Sequence, residues 1–196
     1  MRKHTIRIVG GEYRRTQIPV LDAPGLRPTS DRVRETVFNW LNHFWAGNFS
    51  TRQCLDLFAG TGALGFEAAS RGAHYVQMVE QSPKAIQALK ALRDKLQAKQ
   101  IRIHAGDALH VLQRSQMRYD LVFIDPPFGA QWLDKVWPHL PQVLLDDGLV
   151  YVESETAIDV PEQFQILRSG KTAHAHFVLA QFAAMQKKVN NADNVL

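Results

Sequence analysis

Apolar positions recur with two different periods along this chain, and the periods mark where strands and helices should lie. Between residues 53 and 154, short runs of apolar residues alternate with stretches in which apolar positions recur every three or four residues. Short runs are typical of buried strands, and the longer period is typical of amphipathic helices. The pattern predicts strands at 53–58, 75–80, 101–104, 119–125 and 148–154, and helices near 63–71, 82–98, 107–114 and 131–144. Such alternation favours an α/β fold with a parallel, doubly wound sheet.

The N-terminal part of the chain departs from this alternation. Over residues 4–21, apolar residues alternate on either side of Gly10-Gly11, which predicts a small β-hairpin turned by the glycine pair. Thr29 or Ser30 can then cap a helix. The apolar stripe of that helix consists of Val33, Val37, Trp40, Leu41 and Phe44.

The C-terminal part also differs, because residues 164–168 and 174–183 follow each other closely enough to form a second hairpin. That hairpin would give the sheet an antiparallel member. A chain of 196 residues has room for one α/β domain with a small appendage. We therefore expect a basic β-hairpin extension at 1–26, the main domain at 27–185 and a disordered polar tail at 186–196.

Positive charge is concentrated near the N-terminus. The net charge of the chain is +4, yet its first 34 residues alone carry eight Lys or Arg against three Asp or Glu. Arginine prevails among them, and its planar guanidinium suits phosphate. The candidate nucleic-acid-binding residues in this region are Arg7, Arg14, Arg15, Arg27, Arg32 and Arg34. The alternative is a solvated hairpin whose charge only aids solubility.

Composition narrows the class of protein. Hydrophobic residues make up 45% of the chain and charged residues 21%, which is ordinary globular usage. No apolar run approaches the ~20 residues of a membrane span, and the first residues lack the apolar core of a signal peptide, so we expect a cytoplasmic protein without a membrane partner. The single cysteine, Cys54, lies in an apolar run, and the histidines show no metal-ligand spacing. Neither a disulfide nor a metal site is predicted.

A glycine-rich loop links the strand at 53–58 to the helix that follows it. Gly60, Gly62 and Gly65 have the spacing G-x-G-x-x-G, which lets backbone amides and a helix start approach a nucleotide closely. Glu80 ends the next strand, 20 residues after Gly60. A carboxylate there can accept hydrogen bonds from both hydroxyls of a ribose, and this spacing alone would also suit a dinucleotide.

Two further acids distinguish between nucleotides. Asp56 places negative charge near the loop, which disfavours a pyrophosphate and favours an ammonium or sulfonium cation. Asp107, beside Ala108 and just after the third strand, can take the exocyclic amine of an adenine, although capping the next helix is its alternative role. A cation, a ribose and an adenine amine together describe S-adenosylmethionine. The candidate cofactor-binding residues of these motifs are Asp56, Phe58, Gly60, Gly62, Glu80, Asp107 and Ala108.

The motif Asp125-Pro126-Pro127-Phe128 follows the apolar strand at 119–125. Its two prolines prevent both strand pairing and helix, so the backbone turns there. The turn presents a carboxylate and backbone carbonyls beside an aromatic ring, and acceptors without donors suit an NH2 group. These four residues are the candidate catalytic residues. Taken alone, a strand end followed by a core phenylalanine explains them equally well.

With these motifs in this order, the chain resembles the class I S-adenosylmethionine-dependent methyltransferases that act on amines of bases. The segment from Arg27 to Thr36, RPTSDRVRET, and the hairpin residues Ile8-Val9-Gly10-Gly11 make it similar to the bacterial RsmD family. That family methylates the N2 amine of one guanine in 16S ribosomal RNA. The resemblance extends to about residue 183.

The resemblance implies a Rossmann-like, seven-stranded sheet whose last strand is antiparallel. It also implies a target base flipped out of its strand and stacked on Phe128, with 16S rRNA as the partner, free or within the small ribosomal subunit. Thr29 and Arg34 are then candidate cofactor contacts in a lid. Many relatives carry Asn and Tyr where this chain has Asp125 and Phe128, so its acceptor is charged and its ring lacks a hydroxyl. Whether Asp125 acts as a base or only as an acceptor stays open.

Three other functions are compatible with parts of the sequence. A DNA adenine-N6 or cytosine-N4 methyltransferase would use the same four-residue motif, but such enzymes need a target-recognition region for which this chain has no room. A nicotinamide oxidoreductase would use the glycine loop and leave Asp56 without a role. The third is a non-catalytic RNA-binding module on the same fold.

Overall fold

The computed structural model describes residues 5–20, 30–127 and 131–183, and two sheets lie within these ranges. Strands β1 Thr5–Arg7 and β2 Gln17–Pro19 form an antiparallel hairpin. The main sheet contains β3 Gln53–Asp56, β4 Tyr75–Glu80, β5 Ile101–Ala105, β6 Tyr119–Ile124, β7 Leu144–Ser154, β8 Phe164–Lys171 and β9 His176–Phe182. Their spatial order is β5-β4-β3-β6-β7-β9-β8.

The direction of the strands confirms the expected fold class. Strands β3 to β7 are parallel to one another, and β9 inserts antiparallel between β7 and the edge strand β8. The last strand is therefore the antiparallel one. The connection between β8 and β9 is shorter and later than predicted, since Gly170 lies inside β8, where an added Cβ would meet the ring of Phe177 at 2.3 Å.

Helices cover both faces of the sheet, which explains why its central strands are almost wholly apolar. The helices are α1 Asp31–Phe44, α2 Ala63–Ser70, α3 Pro83–Leu96, α4 Ala108–Arg114, α5 Trp132–Val136 and α6 Leu140–Val143. The hairpin and α1 to α3 pack on the face that carries Cys54 and Phe123. Helices α4 to α6 pack on the opposite face, which carries Leu55 and Val122. None of the helices in the described ranges is both long and apolar enough to span a membrane.

Side-chain caps fix where several helices begin. Ser30 accepts a hydrogen bond from the backbone N–H of Val33 and so caps α1, as predicted. Ser82 caps α3 in the same way. The apolar stripe of α1 is also confirmed, with Val37 and Leu41 completely buried.

The single helix predicted at 131–144 is wrong. The structure has α5, then a 3-10 helix at Trp137–His139, then α6. Pro138 and Pro141 explain the interruption, because each lacks a backbone N–H and its ring crowds the preceding turn. Strand β7 accordingly starts at Leu144 rather than at residue 148.

The N-terminal hairpin docks on α2 through buried polar groups. The Glu67 carboxylate accepts the backbone N–H of Val9 at 2.7 Å and of Gly10 at 2.9 Å. The Ser70 hydroxyl accepts the N–H of Tyr13 at 2.8 Å. At Gly11, whose φ is +75°, an added Cβ would lie 1.8 Å from the Ser70 carbonyl oxygen.

The tip of the hairpin therefore differs from the prediction of a turn at the glycine pair. Gly10 and Gly11 make the contact with α2, and the chain reverses just after them. The N–H of Arg14 donates to the Gly11 carbonyl, and the N–H of Arg15, whose φ is +71°, donates to Ile8. The glycines are needed for close approach to a helix rather than for the reversal itself.

Candidate active site

Four acids line up along the edge of the sheet where the parallel strands end. Asp56 ends β3, Glu80 ends β4, Asp107 lies just after β5, and Asp125 follows β6. With the strand order β5-β4-β3-β6, their order in space is Asp107, Glu80, Asp56 and Asp125. Ligands of open α/β sheets bind in the crevice beyond the carboxyl ends of the strands. The fold thus brings together the acids that the sequence singled out.

Asp56 is a buried carboxylate, with only 2% of its surface exposed. Its Oδ2 accepts the backbone N–H of Gly65 at 3.0 Å, in the first turn of α2. Burial raises the pKa of Asp56 to about 7; the negative charge of Glu80 adds to this, and hydrogen bonds from the Gly65 and Phe58 amides oppose it. Among the described residues, Asp56 forms no ion pair. A cation bound next to it would stabilise its ionised form.

Glu80 shapes the glycine loop. One carboxylate oxygen accepts the N–H of Gly60 at 2.8 Å, and the other accepts the N–H groups of Gln81 and Ser82 at 2.9 and 2.8 Å. The same carboxylate therefore ties the loop after β3 to the turn after β4. Gly60 and Gly62 both have positive φ, at 52° and 81°, which glycine adopts readily. The sequence predicted Glu80 as a ligand for ribose but not as a brace for the loop.

Asp107 caps α4, accepting the N–H of His110 on Oδ1 at 3.0 Å. This is the alternative role that its position in the sequence allowed. Its side chain also borders a cavity of about 540 Å³ between α3 and the β5–α4 connection. The cavity is lined by Gln81, Pro83, Ile86, Gln87, Lys90, Ala105, Gly106 and Asp107. Apolar walls with a carboxylate at one side suit a flat base that carries an amine.

Asp125-Pro126-Pro127 leaves the sheet directly after β6 without joining a helix or strand, as the prolines require. Asp125 and Pro126 are partly exposed and Pro127 is exposed. Ile124 pairs with Val152 on the parallel strand β7. The residues that follow these two, Asp125 and Glu153, are therefore neighbours at the end of these strands. Glu153 accepts a hydrogen bond from the buried Tyr151 hydroxyl at 2.9 Å.

A buried acid, Glu153, thus lies beside Asp125, and sequence reasoning missed it. Burial raises the pKa of Tyr151 well above its usual range, and the negative charges of Glu153 and Asp125 act in the same direction. Both carboxylates are therefore close enough to influence that hydroxyl. The signal in the sequence was an acid near the end of an otherwise apolar strand at 148–154.

Phe58 contacts an aromatic residue at the start of α5. The rings of Phe58 and Trp132 meet edge to face, with centroids 5.2 Å apart. The Lys135 ammonium lies 5.5 Å from the Trp132 ring centroid. Trp132 therefore links the start of α5 to the loop that follows β3.

The predicted nucleic-acid-binding arginines lie in different environments. Arg7 is exposed over 66% of its side chain and pairs with Asp31. Arg14, Arg15 and Arg32 are exposed. The Arg34 side chain, by contrast, is completely buried, where it pairs with Asp31 and donates to the Arg7 carbonyl oxygen. Assigning Arg34 to phosphate or cofactor contact is therefore corrected: in this structure it links α1 to the hairpin.

Several predicted residues cannot be placed. Thr29, Arg27 and Phe128 lie outside the described residues, as do the boundary near residue 26 and the tail at 186–196. In the described ranges, no cluster of three or more His, Cys, Asp or Glu residues could hold a metal ion. Cys54 is completely buried, and burial raises the pKa of its thiol far above the usual range.

Comparison with known proteins identifies the family. The model of the family described as "Conserved hypothetical protein 95" matches residues 6–181. The "Ribosomal RNA small subunit methyltransferase D" of Escherichia coli K12 is 42% identical over 158 residues, which cover 80% of this chain and 78% of that protein. The chain belongs to the RsmD family. The protein of the same name from Haemophilus influenzae is 37% identical to this chain over 190 residues, which cover 91% of this chain and 95% of that protein.

Solved structures of similar proteins agree with this membership. A putative methyltransferase from Escherichia coli superimposes with a TM-score of 0.81 at 38% identity, covering 92% of this chain and 99% of that chain. The RsmD resemblance stated from the sequence is therefore confirmed. The assignment of individual site residues stays a prediction.

Proposed function

We propose that this protein transfers a methyl group from S-adenosylmethionine to the exocyclic N2 amine of a guanine in small-subunit ribosomal RNA. The observation that carries the proposal is the row of acids at the carboxyl edge of the sheet, which ends in the acceptor-rich turn Asp125-Pro126-Pro127. One end of the row suits a nucleoside with a cationic substituent, and the other suits an amine. Transfer of a methyl group from the nucleoside to the amine explains why both ends of the row lie at one edge of the sheet.

The residues of the cofactor end fit S-adenosylmethionine. Asp56 is almost wholly buried, burial raises its pKa to about 7, and no described residue forms an ion pair with it. A ligand that brings a positive charge would form such a pair. Glu80 is partly exposed at the end of β4, and Asp107 borders the cavity with Pro83 and Ile86. These groups would hold the ribose hydroxyls and the adenine, respectively.

When bound, S-adenosylmethionine supplies a methyl group on a positively charged sulfur. The task of the protein is to present the amine. The nitrogen lone pair of an exocyclic amine is delocalised into its ring, so the amine attacks poorly unless its geometry is fixed. The Asp125 carboxylate and the Pro126 carbonyl would accept its two N–H bonds and hold the nitrogen in position.

Asp125 has an electrostatic role as well. Positive charge develops on the amine nitrogen as it gains a bond, and a carboxylate in contact with it stabilises that charge. The same carboxylate would accept the departing proton, directly or through water. No covalent intermediate is needed, which agrees with a buried Cys54 whose raised pKa keeps it a thiol.

The choice of ribosomal RNA is supported by the relatives, whose names describe small-subunit ribosomal RNA methyltransferases. The choice of the guanine N2 amine rests on what resemblance to the RsmD family implies. Phe128 would stack on the flipped base. Work on ribosomal RNA would place the protein in the cytoplasm. The competing function is amine methylation of adenine or cytosine in DNA, because the motif Asp-Pro-Pro-Phe does not itself choose a base.

Transfer of labelled methyl groups tests the proposal. The purified protein is incubated with labelled S-adenosylmethionine and with small-subunit particles, the deproteinised RNA or duplex DNA, and the methylated nucleoside is identified by mass. We expect N2-methylguanosine in RNA and no label in DNA. Asp125→Ala should lose most turnover and still bind the cofactor, whereas the exposed Asp159→Ala should match wild type. Label in N6-methyladenosine, or full activity of Asp125→Ala, would contradict the proposal.

A further inference from the structure

The turn of the N-terminal hairpin lies at the opposite end of the sheet from the candidate active site. The Tyr13 hydroxyl accepts a hydrogen bond from the Gln100 side chain at 3.2 Å, and Gln100 directly precedes β5. The turn also contacts Ser70, the last residue of α2. The start of a parallel strand and the end of the helix that runs back beside it both mark the amino end of the sheet. Arg14 and Arg15 therefore cannot reach the four-residue motif.

The separation can be estimated from strand geometry. Strand β5 has five residues, so its two ends lie about 13 Å apart at ~3.3 Å per residue. Three strand spacings of ~4.8 Å separate β5 from β6, which adds about 14 Å sideways. Combining the two directions places the turn about 20 Å from Asp125. A single flipped nucleotide would not span that distance.

Other cations lie near this turn. Helix α3 ends at Leu96, and Lys95 and Lys99 on either side of its end are both exposed. We name Arg14, Arg15, Lys95 and Lys99 the amino-end surface. Opposing charge there is limited: Glu12 is exposed in the turn, and Asp94 already pairs with Arg93 at 2.7 Å. The surface keeps an excess of positive charge.

The protein holds this turn firmly. Glu67 has no exposed side-chain surface and accepts three hydrogen bonds, from the N–H groups of Val9 and Gly10 and from the Arg71 side chain. The Ser70 carbonyl oxygen accepts the N–H of Glu12 at 2.7 Å. A fixed backbone lowers the entropy that an exposed arginine loses when it binds a partner. Solubility alone does not require charged residues to be fixed in this way.

We propose that the amino-end surface binds the phosphate backbone of the substrate RNA, at a site remote from the methylated base. The proposal rests on the proposed function, since it assumes an RNA substrate. Arginine-rich, exposed and rigid surfaces suit phosphate, and such contacts position a nucleic acid without reading its sequence. RNA that extends from the target base, at the carboxyl edge of the sheet, to the amino-end surface would contact both sites.

Steady-state kinetics at several salt concentrations test this site. The variant Arg14→Gln/Arg15→Gln/Lys99→Gln removes three exposed charges, and Arg114→Gln/Arg168→Gln/Lys171→Gln removes three exposed charges elsewhere. With long RNA or small-subunit particles, we expect the first variant to raise KM about three- to tenfold with kcat unchanged. The slope of log KM against log salt should fall by about 2, since each phosphate contact contributes about 0.7. The control should match wild type, as should both variants on a trinucleotide substrate.

The outcomes separate this proposal from the proposed function. If the wild-type protein transfers no methyl group to RNA, the proposed function fails. If wild type is active and the first variant keeps its KM and salt slope on long RNA, only the amino-end surface is refuted. An equal rise in KM of the first variant on the trinucleotide would place these residues in the binding site of the target base instead. A raised KM on particles but not on deproteinised RNA would indicate a protein partner, and either result would overturn the proposal. Melting temperatures check that the variants are folded.

Discussion

Cofactor affinity should depend on pH through Asp56. The carboxylate is 2% exposed, and burial raises its pKa from 3.8 to about 7. A tenfold change in an acid constant corresponds to about 1.4 kcal/mol, so ionising Asp56 in the ligand-free protein costs about 4 kcal/mol more than in water. A cationic ligand removes part of that cost and lowers the pKa in the complex. Binding should therefore require the ionised form and release a proton near neutral pH.

The direction and the size of the change in cofactor affinity with pH follow from the raised pKa of Asp56. Affinity should be fully present above pH 7 and should fall as the pH drops through 7, because the folded ligand-free protein then holds a proton on Asp56. With a pKa of about 7, the ionised fraction rises about eightfold between pH 6.0 and 7.5, and affinity should rise by the same factor. The comparison stops at pH 7.5, because an α-amino group such as that of the ligand has a pKa of about 8.

Isothermal titration calorimetry measures this effect directly. S-adenosylmethionine is titrated at pH 6.0 and 7.5 in buffers of different ionisation enthalpy, which also count the protons released. Asp56→Asn should bind more weakly, with no dependence on pH in this window. A wild-type affinity that does not change with pH, or the same pH dependence in Asp56→Asn, would contradict this role of Asp56.

Three further changes have defined outcomes. Glu80→Ala removes the acceptor of the Gly60 N–H, and we expect cofactor affinity to fall about 10- to 100-fold, since a hydrogen bond to a charged group contributes about 1.5–3 kcal/mol; unchanged affinity in calorimetry would contradict a role in the loop. Phe128→Ala should weaken RNA binding by about 1–3 kcal/mol through lost stacking, and unchanged RNA kinetics would indicate a core residue instead. Gly11→Ala would place a Cβ 1.8 Å from the Ser70 carbonyl oxygen, so the melting temperature should fall by several degrees, whereas Gly72→Ala, which meets no atom within 4 Å, tests the effect of positive φ alone.

The sheet could be predicted well because its signals are local. Short apolar runs separated by helical periods give strand positions within a few residues, and the strand predicted at 75–80 is confirmed as Tyr75–Glu80. The broken helix at 132–143 was missed, although Pro138 and Pro141 were visible in the sequence. Apolar residues recur at helical spacing on both sides of the two prolines, so the apolar pattern alone indicated one continuous helix.

The site could be predicted only in part, because some of its features depend on neighbours distant in sequence. Glu80 and Asp125 were found because each ends a predicted strand. Asp56 was found because it lies in the strand that leads to the glycine loop, and Asp107 because it comes shortly after the third strand. Glu153 was missed because its significance depends on the register between β6 and β7. Likewise, Arg34 carries the same charge as the exposed arginines near it, and only the packing of α1 against the hairpin shows that it is buried.

Asp125 should direct methyl transfer to the N2 amine of a guanine in small-subunit ribosomal RNA. The most direct measurement is mass mapping of methylated nucleosides in that RNA from a strain lacking the gene, complemented with wild type or with Asp125→Ala. We expect one N2-methylguanosine to disappear in the deletion strain, to return with wild type and to stay absent with Asp125→Ala. Intact N2-methylguanosines in the deletion strain, or full restoration by Asp125→Ala, would contradict it.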